Sequence, residues 1–199
     1  MVADDYRDLG TKILTPVANI IPFGPMGISL LSLITALIAG YSFYISDIDE
    51  NKSWLLLASL MVFLTAVFDA LDGIVARIRG LSSKRGDLVD HTLDRVADII
   101  IVGGIALGSL VDITIGFSAI IGILMLSYMG TQAQAIGAGR DYAGILGRAD
   151  RLIVLTIVPI IQYFDEELNY MELMCYLFAI VCTLSAFYRF NRIWVELKE

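Results

Sequence analysis

Long apolar stretches dominate this sequence and limit what the chain can fold into. A helix that crosses a bilayer needs roughly 20 predominantly apolar residues. Six candidate stretches lie at 26–46, 54–76, 91–111, 113–135, 152–164 and 171–190. Hydrophobic residues make up 57% of the 199-residue chain, and the loops between the stretches are too short for a separate soluble domain. We therefore predict an all-α integral membrane protein with six transmembrane helices.

The basic residues fall almost entirely on one side of these predicted spans. Of the 14 lysines and arginines, only Lys52 belongs to the opposite side, where acidic residues such as Asp112 and Glu166 collect. Cytoplasmic loops of membrane proteins carry an excess of lysine and arginine. This distribution predicts a multi-pass cell-membrane protein with both termini and the loops near 78–90 and 136–151 in the cytoplasm. The net charge of −7 argues against nucleic acid as a partner.

The N-terminal segment differs in character from the rest of the chain. Residues 4–20 mix charged and apolar side chains at i, i+4 spacing, which predicts an amphipathic helix at the membrane interface. Such a helix would either clamp a nearby site or serve as an ordinary anchor. The Pro22-Phe23-Gly24-Pro25 stretch ends it, and no cleavable signal peptide is expected. We predict one membrane domain over 1–199, with a juxtamembrane helix at 1–25 and a six-helix bundle at 26–190.

Two glycines in the third predicted span are spaced for close helix packing. Gly104 and Gly108 lie four residues apart, a pattern that lets two helix backbones approach each other. The pattern fits either a dimer interface or packing within one subunit.

Four aspartates mark the cytoplasmic ends of the second and third predicted spans. Asp69 and Asp72 share one helix face because they are three residues apart, and Asp90 and Asp94 do so because they are four apart. The polar connection at 78–85 is short, so the two helices must be antiparallel neighbours. The four carboxylates are therefore predicted to converge near the membrane interface.

Such a cluster of carboxylates needs a positive partner, because like charges near a membrane repel each other and lose solvation. Oxygen-only ligands favour Mg²⁺ or Mn²⁺ over zinc, and the chain has a single histidine. Gly73 and Gly86 flank the acids and would admit a bulky ligand, while Arg77 lies one turn away and suits a phosphate. Solvated helix-end acids remain the alternative, which is weaker for four aspartates on two matched faces.

The segment from Asp69 to Asp94 reads Asp-x2-Asp-Gly-x2-Ala-Arg-x8-Gly-x3-Asp-x3-Asp. It resembles the signature of the CDP-alcohol phosphatidyltransferase family at all eight fixed positions. The resemblance implies an enzyme that transfers the phospho-lipid group of CDP-diacylglycerol or CDP-archaeol to an alcohol and releases CMP. It also implies a homodimer and a six-span fold with both ends in the cytoplasm.

The same resemblance implies roles for individual residues. Asp69, Asp72 and Asp90 would hold one ion of Mg²⁺ or Mn²⁺, and Asp90 and Asp94 would hold a second. Asp94 would also act as the general base towards the acceptor hydroxyl. The CDP-lipid would be bound by Gly73, Arg77, Ser83, Gly86 and Ser29. At the start of the first span this chain reads Pro25-Met26-Gly27-Ile28-Ser29 where the family often has Pro-Asn-x-x-Thr.

The acceptor is indicated by the segment from Gly139 to Arg151. Arg148 and Arg151 are three residues apart at the start of the fifth span and suit an anionic group. Together with Ser127, they resemble the acceptor site of family members that use inositol phosphate. Glycerol 3-phosphate and serine are the alternative acceptors, and the arginines also fit the role of topology charges. A divalent-cation transporter and a catalytically silent scaffold are the alternatives from other classes.

Overall fold

The computed structural model describes residues 7–48, 50–139 and 144–197, with side chains from residue 10 onward. The described residues form α-helices and short connections, with no strand among them. The helices are α1 (Arg7–Ile20), α2 (Pro25–Ile45), α3 (Ser53–Ile78), α4 (Lys84–Leu107), α5 (Ile113–Ala135), α6 (Arg148–Phe164), α7 (Tyr170–Leu177) and α8 (Thr183–Glu196). One π-helical turn, Phe178–Cys182, joins α7 to α8. The predicted all-helical architecture is confirmed.

Four helical segments in the described part of the chain are long and apolar enough to cross a membrane. They are Pro25–Ile45, Ser53–Ile78, Ile113–Ala135 and Tyr170–Glu196, the last of which runs from α7 through α8. The other two predicted spans correspond to α4 and α6. Helix α4 has 24 residues but carries four charged side chains between residues 90 and 98, and α6 has only 17 residues. These four helices are those of a membrane protein, and six spans remain a prediction.

Helix α2 is packed so closely against α4 that only glycine fits at the contact. A Cβ atom added to Gly104 would lie 2.0 Å from the carbonyl oxygen of Gly40, and one added to Gly108 would lie 2.9 Å from that of Tyr44. The small-residue pattern of α4 thus faces α2 of the same chain. Of the two interpretations that the sequence left open, packing within one subunit accounts for these glycines.

Helix α1 lies against the C-terminal end of α3. Ala18 is buried in a small cluster with Ile28 of α2 and Leu71 of α3. The guanidinium group of Arg79 donates to the carbonyl oxygens of Ile21 at 2.5 Å and Phe23 at 2.8 Å, just beyond the end of α1. Helix C-termini leave carbonyl groups without partners, so this arginine caps α1 from the neighbouring helix.

Polar side chains join the helices at the opposite end of the bundle. The Gln162 amide is buried, donates to the carbonyl oxygens of Asp165 and Leu168, and accepts from the Tyr170 backbone N–H at 2.7 Å. The Tyr170 hydroxyl donates to Asp165 at 2.7 Å, and this bond lowers the pKa of the Asp165 carboxyl. These bonds fix the turn from α6 into α7. They thereby also fix the end of α6 that lies furthest from the acidic residues.

Candidate active site

The four predicted aspartates come together from α3 and α4. The sequence predicted that these two helices are direct neighbours, but in the described structure they share few contacts and α2 packs against both. Oxygen atoms of Asp69, Asp72 and Asp90 lie within 4.8 Å of one another. Asp94 joins these three in lining one small cavity of about 10 Å³, close to the size of one water molecule. Asp72 is almost fully buried and Asp94 is largely so, which makes their negative charges expensive without a partner.

The i, i+3 and i, i+4 spacings explain this convergence. They place each pair of acids on one face of its helix, and α2, which packs against both helices, brings the two faces to one site. The turn between the two helices is short, because Ser83 caps the N-terminus of α4 by accepting from the Gly86 backbone N–H at 3.1 Å. The local sequence thus sets both the depth and the direction of the carboxylates.

Arg148 reaches into this cluster from α6. Its Nη1 atom lies 2.5 Å from Oδ2 of Asp69 and 3.0 Å from Oδ1 of Asp94. The side chain is 15% exposed, so these are largely buried ion pairs. The sequence predicted Arg148 as an acceptor-binding residue, and the structure places it directly on the predicted metal ligands.

A second layer of charge surrounds Asp98, one turn beyond Asp94 on α4. Arg151 donates from Nη2 to its Oδ2 at 2.9 Å and from Nη1 to the carbonyl oxygen of Leu146 at 3.2 Å. Arg95 Nε lies 3.7 Å from Asp98 Oδ2. Asp98 was not among the predicted site residues, although its position one turn beyond Asp94, on the stripe of Asp90 and Asp94, was a signal that could have identified it.

Ser29 is turned towards the acids. Its hydroxyl lies 2.6 Å from Oδ2 of Asp72, to which it donates, and 3.1 Å from the carbonyl oxygen of Pro25. The sequence predicted Ser29 as a contact for the CDP-lipid. The structure shows that it also holds the carboxylate of Asp72 in place.

A larger cavity of about 430 Å³ opens beside the acids. Its lining includes every residue that was predicted to bind the CDP-lipid, namely Gly73, Arg77, Ser83, Gly86 and Ser29, together with Asp72 and Asp90. Neither predicted glycine is closely packed: a Cβ atom on Gly73 would meet only Arg77 Nη1 at 3.4 Å, and one on Gly86 would meet only Ser83 Oγ at 3.4 Å. The cavity therefore has a glycine-lined wall, basic side chains and acids at one end.

His91 also lines this cavity, and the sequence analysis gave it no role. Its Nε2 atom lies 3.2 Å from Oδ1 of Asp87, and its ring nitrogens come close enough to Asp90 and Asp94 to form a second possible metal-ligating group. Its place directly after Asp90 in the motif was the signal that could have identified it.

The predicted acceptor residues do not all meet. Arg148 lines the small cavity at the acids, while Arg151 is buried behind it against Asp98. Ser127 lies on α5, and it is not among the residues that line the two cavities of the described structure next to the acids. Arg140, in the same predicted segment, lies outside the described residues.

The residues present suit a divalent cation. Asp69, Asp72, Asp90, Asp94 and Asp98 form one connected network with Arg95, Arg148 and Arg151. Five carboxylates face three guanidinium groups, so two negative charges are not matched within this network when all groups are ionised. An all-oxygen donor set with uncompensated charge is typical of Mg²⁺ and Mn²⁺ sites.

Comparison with known proteins agrees with this geometry. The family model for CDP-alcohol phosphatidyltransferase matches residues 22–187. The chain belongs to this family. It is therefore a membrane-helical transferase of phospholipid biosynthesis, and the resemblance seen in the Asp69–Asp94 segment is confirmed.

Two relatives in this family differ in the name of their product. The chain is 34% identical over 161 residues to an archaetidylinositol phosphate synthase of Pyrococcus horikoshii, which covers 81% of this chain and 78% of the relative. It is 28% identical over 158 residues to a phosphatidylinositol phosphate synthase of Mycobacteroides abscessus, covering 75% of this chain and 69% of the relative.

The fold is shared with solved structures of one family member. The crystal structure of Mycobacterium tuberculosis phosphatidylinositol phosphate synthase with CDP-DAG bound gives a TM-score of 0.74 at 21% identity, covering 92% of this chain and 94% of the other. The same enzyme in complex with manganese and citrate gives a TM-score of 0.73, also at 21% identity, covering 92% and 87%. At this identity the likeness establishes the fold.

Proposed function

We propose that this enzyme transfers the phospho-lipid group of CDP-diacylglycerol or CDP-archaeol to a hydroxyl group of inositol phosphate and releases CMP. The observation that carries the proposal is the meeting of Asp69, Asp72 and Asp90 at one end of the 430 Å³ cavity. The acceptor is supported by the names of the two relatives and by the arginine beside Asp94.

The acids would hold the metal. Asp69, Asp72 and Asp90 form the site for one ion of Mg²⁺ or Mn²⁺, and Asp90 with Asp94 forms the site for a second. Support comes from the oxygen-only donors within 4.8 Å of one another and from the manganese complex of the M. tuberculosis enzyme. Bound metal supplies positive charge that stabilises the diphosphate and the departing CMP oxygen.

The chain's own residues bind the CDP-lipid in the larger cavity. The diphosphate approaches the backbone where Gly73 and Gly86 have no side chain. The Arg77 guanidinium supplies charge-assisted hydrogen bonds to a phosphate, and the Ser83 and Ser29 hydroxyls face the same space. This placement leaves the phosphorus next to the lipid beside the acidic end of the cavity.

Asp94 is the proposed general base. The acceptor hydroxyl oxygen forms a bond to the lipid-side phosphorus, and the bond from that phosphorus to the bridging oxygen of CMP breaks. The hydroxyl proton passes to the Asp94 carboxylate, and the electron pair of the broken bond leaves with CMP. Asp94 suits this role because it is largely buried next to the acceptor arginine Arg148.

Arg148, Arg151 and Ser127 complete the proposed acceptor site. Arg148 is next to the base and is the residue best placed to pair with the phosphate of the acceptor. Glycerol 3-phosphate carries the same kind of anionic group, so it is the second acceptor to test. Serine lacks a phosphate and would leave this arginine without a ligand.

We further propose the membrane arrangement. The chain forms one domain over 1–199 with six spans, both termini and the active site on the cytoplasmic side, and it functions as a homodimer. The two additional spans are α4 and α6. Helix α1 lies at the interface as an amphipathic helix, and its exposed Ile13, Val17 and Ile20 would contact lipid.

CMP release from purified protein in detergent tests the function. The protein receives CDP-diacylglycerol or CDP-archaeol, Mg²⁺ or Mn²⁺, and separately inositol phosphate, glycerol 3-phosphate or serine. We expect release with inositol phosphate, and its loss in the Asp94→Asn variant. Asp112→Asn is the matched control, because Asp112 caps α5 outside the site and asparagine caps equally well.

The other outcomes decide between the alternatives. Release with glycerol 3-phosphate or serine alone would reassign the acceptor. Metal flux in vesicles without CMP release from any acceptor would support the transporter, and folded protein without either activity would support the scaffold.

A further inference from the structure

Asp98 is a buried carboxylate that the proposed reaction does not use. It is 6% exposed, lies one helical turn from Asp94, and is not among the acids whose oxygen atoms meet at the cavity. A buried charge of this kind is costly unless it has partners. The groups that contact Asp98 therefore indicate its role.

Three guanidinium groups surround this one carboxylate. Arg151 makes a hydrogen bond to it at 2.9 Å, and the Nε atoms of Arg148 and Arg95 lie 3.6 and 3.7 Å away. Both of these Nε atoms are buried and make no hydrogen bond within the described residues. Arg148 and Arg95 also pair with Asp94, so these two cations are shared between Asp98 and the proposed base.

Arg148 connects Asp98 with the base. Its Nε edge faces Asp98 Oδ1, while its Nη1 atom lies 3.0 Å from Asp94 Oδ1. A guanidinium group is planar, so a carboxylate on one edge sets the direction of the other edge. Asp98 therefore contributes, with Asp69 and Asp94, to the direction in which Arg148 points, and Nη1 lies beside the proposed base.

We infer that Asp98 is a positioning residue for the acceptor phosphate, acting by holding Arg148 beside Asp94, with Arg151 as the buried partner that fixes Asp98 itself. This inference rests on the proposed function, because it assumes a phosphorylated acceptor. Asp98 touches neither substrate. Its effect is confined to acceptors that carry a phosphate.

Steady-state kinetics of Asp98→Asn test this role. Asparagine keeps the size of the side chain and removes the charge that helps to orient Arg148. We expect the KM for inositol phosphate to rise at least tenfold, while the KM for the CDP-lipid stays within twofold of wild type. Asp98→Glu, which restores the charge, is expected to recover part of the acceptor affinity. Asp112→Asn serves again as the matched control.

The outcomes separate this inference from the proposed function. If wild-type protein releases no CMP with inositol phosphate, the proposed function fails whatever Asp98 does. If wild type reacts and Asp98→Asn leaves the acceptor KM unchanged, or raises both KM values equally, the positioning role is overturned. If Asp98→Asn does not fold, Asp98→Glu decides: a raised KM for the acceptor alone supports the role, and unchanged values contradict it.

Discussion

The Nη1 atom of Arg148 lies 3.0 Å from Oδ1 of Asp94, so the proposed base is paired with a cation of the protein itself. The same nitrogen lies 2.5 Å from Asp69. One guanidinium group therefore bridges the two helices that carry the acids. The same two carboxylates would attract the proposed second metal ion. The positive charge of Arg148 therefore competes with that ion.

Replacing Arg148 is expected to strengthen metal binding. In Arg148→Gln the carboxylates of Asp69 and Asp94 lose a buried positive neighbour, so a divalent cation meets less repulsion. We expect the affinity for Mn²⁺ to rise about tenfold, equivalent to ~1.4 kcal/mol. Electron paramagnetic resonance of free Mn²⁺, titrated with purified protein, measures the change.

The matched control is Arg192→Gln. Arg192 pairs with Glu196 on α8 at 3.4 Å, in an exposed pair away from the acids, and its loss should leave Mn²⁺ affinity unchanged. Equal or weaker Mn²⁺ binding by Arg148→Gln would show that the arginine supports the metal site instead of competing with it.

Ser29 is expected to matter for metal binding through Asp72. Its hydroxyl hydrogen bond, 2.6 Å long, orients the carboxylate, and loss of such an outer contact typically costs about 10- to 100-fold in metal affinity. Mn²⁺ titration of Ser29→Ala should show a loss in this range. Ser118→Ala removes a hydroxyl that bonds only within α5 and should bind as wild type does. Unchanged affinity in Ser29→Ala would limit the serine to nucleotide binding.

Two adjacent glycines of α4 should respond differently to the same substitution. Gly104→Ala places a Cβ atom 2.0 Å from the Gly40 carbonyl oxygen, whereas a Cβ atom on Gly103 has no neighbour within 4 Å. We expect Gly104→Ala to lower the free energy of unfolding by about 2 kcal/mol or more, as overpacking does. Gly103→Ala should leave it unchanged or slightly raised. Thermal unfolding in detergent compares the two, and equal behaviour would contradict the close packing of α2 on α4.

The turn between α6 and α7 should make stability depend on pH. The hydrogen bonds from the Tyr170 hydroxyl and the Glu167 backbone N–H lower the pKa of the Asp165 carboxyl in the folded protein. A lowered native pKa means that the ionised form stabilises the fold above the unfolded pKa of about 4, and that this stabilisation is lost as the pH falls through the lower native value.

Thermal unfolding of wild type and Asp165→Asn at several pH values checks this. We expect the difference in Tm to be largest near pH 6 and to shrink towards pH 3. The acidic cluster titrates in both proteins, so its contribution cancels in the difference. A difference that stays constant with pH would mean that the charge of Asp165 does not contribute.

Local spacing was enough to predict which acids meet. The positions of Asp69, Asp72, Asp90 and Asp94 define helix faces, and a short connection keeps both sets of acids at the same end of the bundle. That α2 packs against both helices could not be read from this spacing. The family signature rests on the same residues, which is why family membership could be read from the sequence. The residues predicted to line the CDP-lipid cavity follow from the same two helices.

Contacts from distant segments could not be predicted in this way. Arg148 is more than 50 residues from Asp94 in the sequence. The residue pattern of α6 does not indicate which helix it packs against. The role of Gly104 was open for a similar reason, because a small-residue pattern says that a helix approaches closely without saying which one. The number of spans could not be counted from apolar character alone. The charged residues of α4 reduce the hydropathy by which a span is recognised.

The contact between Gly40 and Gly104 also limits how this protein can evolve. When two side chains clash, a smaller residue on the partner helix usually relieves the strain, but here both partners are already glycine. No second substitution within the contact can compensate for a larger residue. A genetic selection for suppressors of Gly104 variants should therefore return only restored glycine at position 104. Gly40 and Gly104 should tolerate fewer substitutions than the residues that flank the aspartates on α4.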